Sequence, residues 1–288
     1  MRTSRVIWRA LTSLTTIACV IVIYNNVWRL RTRQQERREA GGGRGKLHQG
    51  YLHVIIQFPV LSAHDSRMRD RQAEYMDTLE KNLLHELVRE VHILCESSRE
   101  VSFINNLQFP NTHKLVLAVN KRRMRYSDAF RYASTRLIGK TSIIINADCY
   151  IGQGFEKLGT WPRSQRIVYA LTRHETADNI RACKTKDFCG PNSTYIGSHD
   201  AFVLLPIRPL SATFLDAIDY RPDIAGAENV VIRALRKDGF VVRNPCKILF
   251  IYHNHCSKAR NKKGRLVQGM RLERYLNVTK GIARFSGL

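Results

Sequence analysis

The feature that most constrains the fold is an apolar run at residues 141–145, TSIII, which is followed at once by Asn146, Ala147 and Asp148. A short run rich in β-branched residues predicts a buried strand. In open α/β sheets, ligands bind beyond the carboxyl ends of the strands. A carboxylate there is well placed to hold a divalent cation against a diphosphate. A turn or helix-capping aspartate after a core strand would show the same pattern, so the rest of the chain has to decide.

The first half of the chain alternates between strand and helix patterns. Four apolar stretches predict strands: residues 52–60, 91–95, 114–119 and 141–145. Tyr75, Leu79 and Leu83, at four-residue spacing, predict an amphipathic helix over residues 70–88. A second helix is predicted between an N-cap at Ser127 and Gly139. The order β-α-β-β-α-β predicts an α/β fold with parallel crossovers.

The second half predicts more strands and one further helix. The strands are predicted at residues 166–172, 201–206, 240–242 and 247–252. A helix is predicted to open at residues 226–229 and to stop at Gly239. Residues 261–288 form a basic segment with few apolar side chains, which we interpret as a C-terminal tail.

The charge of the chain restricts its partners. The 288 residues include 47 Lys and Arg against 24 Asp and Glu, a net charge of +23, which favours anionic partners. The basic residues are not interleaved with aromatic ones, and no helix-turn-helix, zinc-finger or RNA-binding signature is present. We therefore predict no nucleic-acid partner. A membrane-anchored, non-catalytic protein that binds sugar or nucleic acid is the alternative to an enzyme.

Residues 10–28 are uncharged and predict a transmembrane signal anchor. A cleaved signal peptide and a buried helix are the competing interpretations. On the first interpretation, residues 1–9 are a cytosolic tail and residues 29–50 a flexible basic stem. Positive charges after the span favour a cytosolic domain, but long C-terminal domains are translocated largely regardless of charge.

Two further patterns favour the lumenal side. Glycosylation triplets begin at Asn192 and Asn277. Six cysteines follow the span, and Cys183 and Cys189 bracket a short polar loop that a disulfide could close. Two free thiols are equally compatible with that spacing. Cys246 could pair with Cys256, and either could pair with Cys95 or Cys149.

Two groups of residues are candidate ligands for a cation. Asp148 is the first, and Asn146, two residues earlier, could add a neutral oxygen or bind a ribose. His253 and His255 follow a strongly apolar stretch, and imidazoles two residues apart share a strand face. Two ordinary polar residues at a strand end would look the same, and zinc becomes an option only if a carboxylate or cysteine joins them.

Three charged residues are candidates for acid–base chemistry or ligand binding. Glu228 opens a predicted helix, where it could act as a general base or simply interact favourably with the helix dipole. Asp200 is a second candidate base or an acceptor-binding group. Arg173 follows a predicted strand and offers positive charge at the same edge of the sheet.

These motifs, in this order, resemble membrane-anchored nucleotide-sugar glycosyltransferases of the GT-A fold, over roughly residues 51–260. The resemblance rests on five short segments. They are IINAD at 144–148, in the place of the fold's Asp-x-Asp, YALTR at 169–173, GSHDAFV at 197–203, GAEN at 226–229 and HNHCS at 253–257. The first Asp of the Asp-x-Asp pattern is Asn146 here, which departs from the usual form.

The resemblance implies a fold, an activity and a location. The fold is a Rossmann-like mixed sheet flanked by helices, and the activity is transfer of a sugar from a nucleotide-diphosphate donor to a hydroxyl of a glycan, protein or lipid. Asp148 with His255 or His253 would bind Mn²⁺ or Mg²⁺, Asn146 and Arg173 would contact the donor, and Glu228 would be the base. The expected location is a Golgi or ER membrane, as a single-pass type II protein with a lumenal catalytic domain.

Overall fold

The computed structural model describes residues 51–62, 64–159, 166–194, 197–259, 263–278 and 281–288, all of which belong to one compact unit. Its centre is a seven-stranded mixed sheet. In chain order the strands of this sheet are β1 (Leu52–Ile56), β2 (Val88–Cys95), β3 (Leu115–Val119), β4 (Thr141–Ile145), β6 (Ile167–Leu171), β8 (Ala201–Leu204) and β9 (Val241–Arg243).

The large sheet is built mainly from parallel pairs. Its order is β3-β2-β1-β4-β8-β6-β9, and the first four strands run parallel to one another. β8 runs antiparallel to both β4 and β6, whereas β6 and β9 are parallel. The predicted α/β class and its parallel crossovers are confirmed, and the antiparallel strand β8 makes the sheet mixed.

Seven α-helices are assigned in the described part of the chain. They are α1 (Ser66–Leu84), α2 (Ser98–Asn105), α3 (Tyr126–Arg136), α4 (Ala177–Cys183), α5 (Ala212–Ala217), α6 (Ala227–Lys237) and α7 (Leu272–Tyr275). Short 3₁₀ turns lie at Thr112–Lys114, Phe155–Leu158 and Lys263–Arg265.

Apolar side chains cover both faces of the large sheet. On one face, Leu79 and Leu83 of α1 pack with alternate residues of β1. On the other, Phe130 of α3 and Leu235 of α6 pack with residues such as Ile144 of β4. Burial on both faces explains why these strands read as continuous apolar runs.

A second sheet of three short strands lies beside the first. It consists of β5 (Cys149–Ile151), β7 (His174–Glu175) and β10 (Ile251–His253), with β10 in the middle, antiparallel to β5 and parallel to β7. Because β5 follows β4 after only three residues, the chain passes from one sheet to the other at residues 146–148.

Several element boundaries differ from the predictions for local reasons. The first helix is shifted to Ser66–Leu84, because the Asp65 side chain accepts a hydrogen bond from the Arg67 amide (2.9 Å) and caps an earlier start. Helix α3 begins at Tyr126, so Ser127 is not its N-cap. Most of the predicted strand at 247–252 is a turn, since the Ile248 and Leu249 amides both donate to the Pro245 carbonyl (2.9 Å each).

The segment interpreted as a basic tail packs against the body of the fold. Leu272 and Ala283 are fully buried, and an isolated parallel β-bridge joins Asn244 to Phe285. The predicted division of the chain into tail, anchor, stem, catalytic domain and basic tail stays a prediction.

The predicted span, residues 10–28, lies outside the described residues. Among the residues that the structure does describe, no helix combines the length and apolar character needed to cross a bilayer. This finding contradicts the predicted location as a type II protein of a Golgi or ER membrane, which we do not retain.

Candidate active site

The candidate site lies where the chain leaves the large sheet. Asp148 occupies the turn between β4 and β5, and His253 is the last residue of β10. The Asn254 amide donates to the Asp148 carbonyl (2.7 Å), which fixes the end of β10 against this turn. Two segments about a hundred residues apart in sequence therefore meet at the carboxyl end of β4, where α/β sheets bind ligands.

Asp148, His253 and His255 form a compact group, called here the Asp148 cluster. The Asp148 Oδ2 atom lies 3.4 Å from His253 Nε2 and 3.5 Å from His255 Nδ1. One potential ligand atom from each of the three residues lies within 4.8 Å of the others. The Arg71 guanidinium, from α1, makes an ion pair with the same Asp148 oxygen. The three residues that the sequence proposes as metal ligands are thus brought together, and their role stays a prediction.

The charges around Asp148 favour its ionised form. Burial opposes ionisation, but Arg71 and the two histidines outweigh it and hold the pKa of the Asp148 carboxyl well below its usual range. For His253, burial opposes protonation, but Asp148 and Glu175 outweigh it and raise the pKa of the imidazole. Asp148 therefore carries its negative charge at neutral pH, as a cation ligand must.

His253 is held between two carboxylates. Its Nδ1 lies 2.7 Å from Glu175 Oε1, on the side opposite Asp148. A proton on Nδ1 that is donated to Glu175 leaves the Nε2 lone pair directed at the Asp148 cluster, the arrangement in which a carboxylate orients a metal-binding histidine. The second Glu175 oxygen, Oε2, is buried and has no hydrogen-bond partner among the described residues.

The loop that carries His255 is fixed to helix α1. Glu74 Oε1 accepts hydrogen bonds from the Cys256 and Ser257 amides (2.6 Å each). The Asn254 side chain donates to Asp77 Oδ2 (2.7 Å). Three groups of this loop, two backbone amides and one side chain, are therefore held by side chains of α1.

Two disulfides brace the same region, in a pairing different from those considered from the sequence. Cys183 bonds Cys256, which links the end of α4 to the residue after His255. Cys189 bonds Cys246. The Cys183–Cys189 disulfide considered from the sequence is therefore wrong, and so is the Cys246–Cys256 disulfide. Cys95 and Cys149 are buried free thiols.

Asp200, Arg173 and Asn146 form a second polar group. Arg173 Nη1 donates to both Asp200 oxygens (3.0 and 3.1 Å), and the Asn146 side chain donates to Asp200 Oδ1 (3.1 Å). The Ser198 hydroxyl adds a fourth bond (2.7 Å). Burial opposes ionisation of Asp200, but Arg173 and His253 outweigh it and lower the pKa of this carboxyl. The Asn146 side chain thus bonds Asp200, and no described contact joins it to Asp148.

Glu228 lies in the first turn of α6 in a different environment. Burial raises the pKa of Glu228 to about 7; its own backbone amide and Arg271 oppose this shift, and the negative charge of Asp200 adds to it. The nearest described cation is Arg271, whose Nη2 lies 3.6 Å from Glu228 Oε1. A carboxyl group with a pKa near 7 can both take up and release a proton at neutral pH.

The sequence did not predict Arg71 as a site residue, and it placed Glu175, two residues after Arg173, at the same sheet edge without predicting its contact with His253. Arg71 lies four residues before Tyr75, so it continues the apolar stripe of α1 toward the helix start, and it is only 8% exposed. A cation in a buried stripe signals a buried anionic partner. Glu175 gave no such signal, because β7 has only two residues and its pairing with β10 comes from the tertiary fold.

A cleft of about 530 Å³ adjoins this region and shares Glu175 with it. Phe250, Tyr252 and His174 line one side, and the His174 and Phe250 rings are stacked with centroids 4.3 Å apart. Asp187 and Lys247 provide charged groups at its wall. Its volume is in the range of small-molecule sites.

No family model matches the chain, and no curated protein matches its sequence. Three of the solved structures that are similar to this chain match it with low TM-scores. A protein assigned as a glucose-1-phosphate thymidylyltransferase from Bacillus anthracis has 9% identity and a TM-score of 0.42, over 72% of this chain and 92% of that one. A UDP-glucose pyrophosphorylase bound to UDP-glucose has 8% identity and a TM-score of 0.36, over 71% and 90%.

The third is an inositol-1-phosphate CTP transferase from T. maritima, with 10% identity and a TM-score of 0.40, over 76% of this chain and 95% of that one. At these TM-scores the similarities do not indicate the activity of this chain.

Proposed function

We propose that this chain is a glycosyltransferase of the GT-A fold that moves a sugar from a nucleotide-diphosphate donor to a hydroxyl of a glycan, protein or lipid. The observation that supports this most is the Asp148 cluster at the carboxyl end of β4, in which one carboxylate and two imidazoles lie within 4.8 Å of one another. The order of the strands and the buried carboxyl of Glu228 are compatible with it.

Asp148, His253 and His255 would hold the cation. Their donor set fits Mn²⁺ better than Mg²⁺, because Mg²⁺ takes oxygen ligands almost exclusively, whereas Mn²⁺, as a transition ion, also accepts imidazole nitrogen. When bound, the cation neutralises charge that develops on the leaving diphosphate. Glu175 keeps the His253 ring in the orientation that the site needs, through its 2.7 Å contact with Nδ1.

Two arginines supply further positive charge. Arg71 is buried beside Asp148, and Arg173 beside Asp200. A guanidinium can donate two parallel hydrogen bonds to phosphate oxygens. We assign to both the role of orienting the donor, with Asn146 at the same edge as a partner for the ribose.

Glu228 acts as the general base in this proposal. It takes the proton of the acceptor hydroxyl while that oxygen forms a bond to the sugar carbon. The bond from this carbon to the diphosphate oxygen breaks, and its electron pair leaves with the nucleotide diphosphate. Asp200 is less suited to the task, because it accepts hydrogen bonds from Arg173, Asn146 and Ser198 and its pKa is lowered.

The test is nucleotide release by the full chain from a panel of nucleotide sugars, measured with Mn²⁺ and with a chelator. We expect nucleotide release from one donor, by hydrolysis or by sugar transfer, only when Mn²⁺ is present. Asp148→Asn should lower the rate at least 100-fold, because the amide keeps the side-chain volume and an acceptor for Arg71 but loses the charge. Asp178→Asn is the matched control, since Asp178 is 86% exposed and pairs only with Arg181 in the described contacts.

Release that is equally fast with chelator and in Asp148→Asn contradicts the metal-assisted mechanism. Absence of both release and donor binding across the panel supports the non-catalytic alternative. Binding of a nucleotide sugar without release, in the presence of candidate acceptors, would show a binding protein with the same fold.

A further inference from the structure

A second group of metal-binding side chains lies far from the Asp148 cluster. His53 of β1 and Glu90 and His92 of β2 lie on adjacent parallel strands. His53 pairs in register with Ser142, near the start of β4, whereas Asp148 follows the carboxyl end of that strand. The group is therefore at the amino-terminal end of the sheet, and nothing in the proposed transfer reaction uses it.

The three side chains converge on one point. His53 Nδ1 lies 3.0 Å from Glu90 Oε2, His92 Nε2 lies 3.3 Å from the same oxygen, and the two nitrogens are 3.3 Å apart. Both imidazoles are buried, and Glu90 is partly exposed, with 33% of its side chain accessible. The three atoms form a nearly equilateral triangle, and Glu90 is its one partly exposed corner.

The size of this triangle matches the ligand shell of zinc. In tetrahedral zinc sites with Zn–N and Zn–O bonds of about 2.0–2.1 Å, neighbouring ligand atoms are separated by roughly 3.3 Å. Two histidines and one glutamate are a known zinc donor set, with water as the fourth ligand. The side chains can therefore accept the ion without moving far from the positions they already occupy.

The surroundings keep both histidines in the form that binds metal. Burial and the charges of Lys140 and Arg89 lower the pKa of His53 to about 4. Burial likewise lowers the pKa of His92 to about 4; Glu90 opposes this shift, and His53 and Lys140 reinforce it. Neutral imidazole is the metal ligand, and the Glu90 carboxylate compensates for the nearby positive charges.

A hydrogen bond on the far side of the His92 ring also fixes its orientation. Its Nδ1 lies 3.1 Å from the Tyr132 hydroxyl of α3. When Nδ1 donates its proton there, the Nε2 lone pair is directed at His53 and Glu90. A partner on the far nitrogen is the usual device that fixes the tautomer of a metal-binding histidine.

We propose that His53, Glu90 and His92 form a Zn²⁺ site, with water as the fourth ligand on the exposed side of Glu90, and that the ion ties β1 to β2. This site is independent of the proposed transfer reaction, so either proposal can be disproved without affecting the other.

The test is equilibrium dialysis of the full chain against Zn²⁺, followed by elemental analysis of bound zinc. Because the Asp148 cluster could also bind zinc, the starting protein is the double variant Asp148→Asn, His253→Gln. We expect it to bind one equivalent. Adding Glu90→Gln or His92→Gln should weaken this binding at least 100-fold, whereas His113→Gln, at an exposed histidine outside the cluster, should leave it unchanged.

The proposal is overturned if the Glu90→Gln and His92→Gln proteins bind zinc as well as the starting protein does. It is also overturned if the starting protein binds none. Circular dichroism of the metal-free proteins checks folding. Should His92→Gln fail to fold, the partly exposed position 90 still decides the outcome, because zinc should raise the Tm of the starting protein but not that of Glu90→Gln.

Discussion

Single residues of the candidate site show how environment separates groups of the same kind. Asp200 and Glu228 are both buried carboxyl groups, yet Asp200 accepts hydrogen bonds from Arg173, Asn146 and Ser198, and its pKa is lowered. Glu228 has Arg271 as its nearest described cation, 3.6 Å away, and burial raises its pKa to about 7. Pairs of carboxyl groups whose environments separate their pKa values in this way are typical of acid–base sites.

The raised pKa of Glu228 predicts the pH dependence of activity. A general base has to be unprotonated, so the rate should rise with pH up to a plateau above about pH 7. In Glu228→Gln, turnover should fall roughly 10²- to 10⁴-fold with donor affinity retained. The rate of nucleotide release between pH 5 and 9, at saturating donor and acceptor, measures both effects. An unchanged turnover in Glu228→Gln removes this residue as the base.

The same residue should make the protein less stable at high pH. The folded state keeps a proton on Glu228 up to about pH 7, whereas the unfolded chain releases it near pH 4.5, so stability falls as pH rises through this window. Glu228→Gln removes that loss, and at pH 8 its free energy of unfolding should exceed that of the wild type by up to about 3 kcal/mol. Denaturant unfolding at pH 5 and pH 8 measures the difference, which should fall below about 1 kcal/mol at the lower pH.

At the level of elements, helix α6 and the β10 loop position the site. Gly226 precedes α6 with φ 91°. A Cβ placed there would overlap Glu273 Oε2 and lie 3.0 Å from the Glu273 backbone nitrogen. Only glycine adopts this conformation without strain, and only glycine leaves room for Glu273. Gly226 therefore sets the start of the helix that carries Glu228.

Gly226→Ala should lower both stability and turnover. We expect a loss of about 1–3 kcal/mol from backbone strain, with a further loss from displacement of Glu273. The matched control is Gly139→Ala, since Gly139 also has a positive φ, 76°, but nothing lies within 4 Å of its added Cβ. Denaturant unfolding and nucleotide release of both variants separate the two effects. Equal activity in the two variants would show that the start of α6 does not control Glu228.

The two disulfides predict different effects on metal binding. Both should stabilise the fold by roughly 2–4 kcal/mol, because they close loops of similar length, with separations of 73 and 57 residues. Only Cys256 neighbours His255 in sequence, so Cys183→Ser should also weaken Mn²⁺ binding, whereas Cys246→Ser should not. Mn²⁺ titration of both variants checks this, and equal affinities would contradict the role assigned to the first bridge.

An element could be predicted from the sequence where its own residues determine it, and not where distant residues do. The strands β1 to β4 were predictable because each reads as an apolar run. β1, β2 and β4 are largely buried on both faces, whereas the edge strand β3 is half-buried. The short strands β5 and β7 were not, because three- and two-residue segments carry no periodic signal and owe their pairing to β10. The same holds for Glu175, whereas Asp148, His253 and His255 stood out because each follows an apolar stretch.

At the scale of the whole molecule, one sheet edge collects the polar groups on which the proposed activity depends. Asp148 from the β4–β5 turn, Arg71 from α1 and His253 from β10 meet there, although they are far apart in sequence. The C-terminal residues contribute as well, since His199 Nε2 lies 3.2 Å from the carbonyl of the buried residue Ala283. The interpretation of residues 261–288 as a basic tail missed this packing, although 11 of these 28 residues are apolar.

The most direct measurement is calorimetric titration of the full chain with the nucleotide sugar that supports release, in Mn²⁺ and in chelator, for the wild type, Asp148→Asn and Asp178→Asn. A metal-bound donor site at Asp148 predicts tight binding in Mn²⁺ for the wild type and Asp178→Asn. Affinity should fall at least 100-fold in chelator and in Asp148→Asn. Equal donor affinity in all three proteins, with and without metal, would contradict the proposed site.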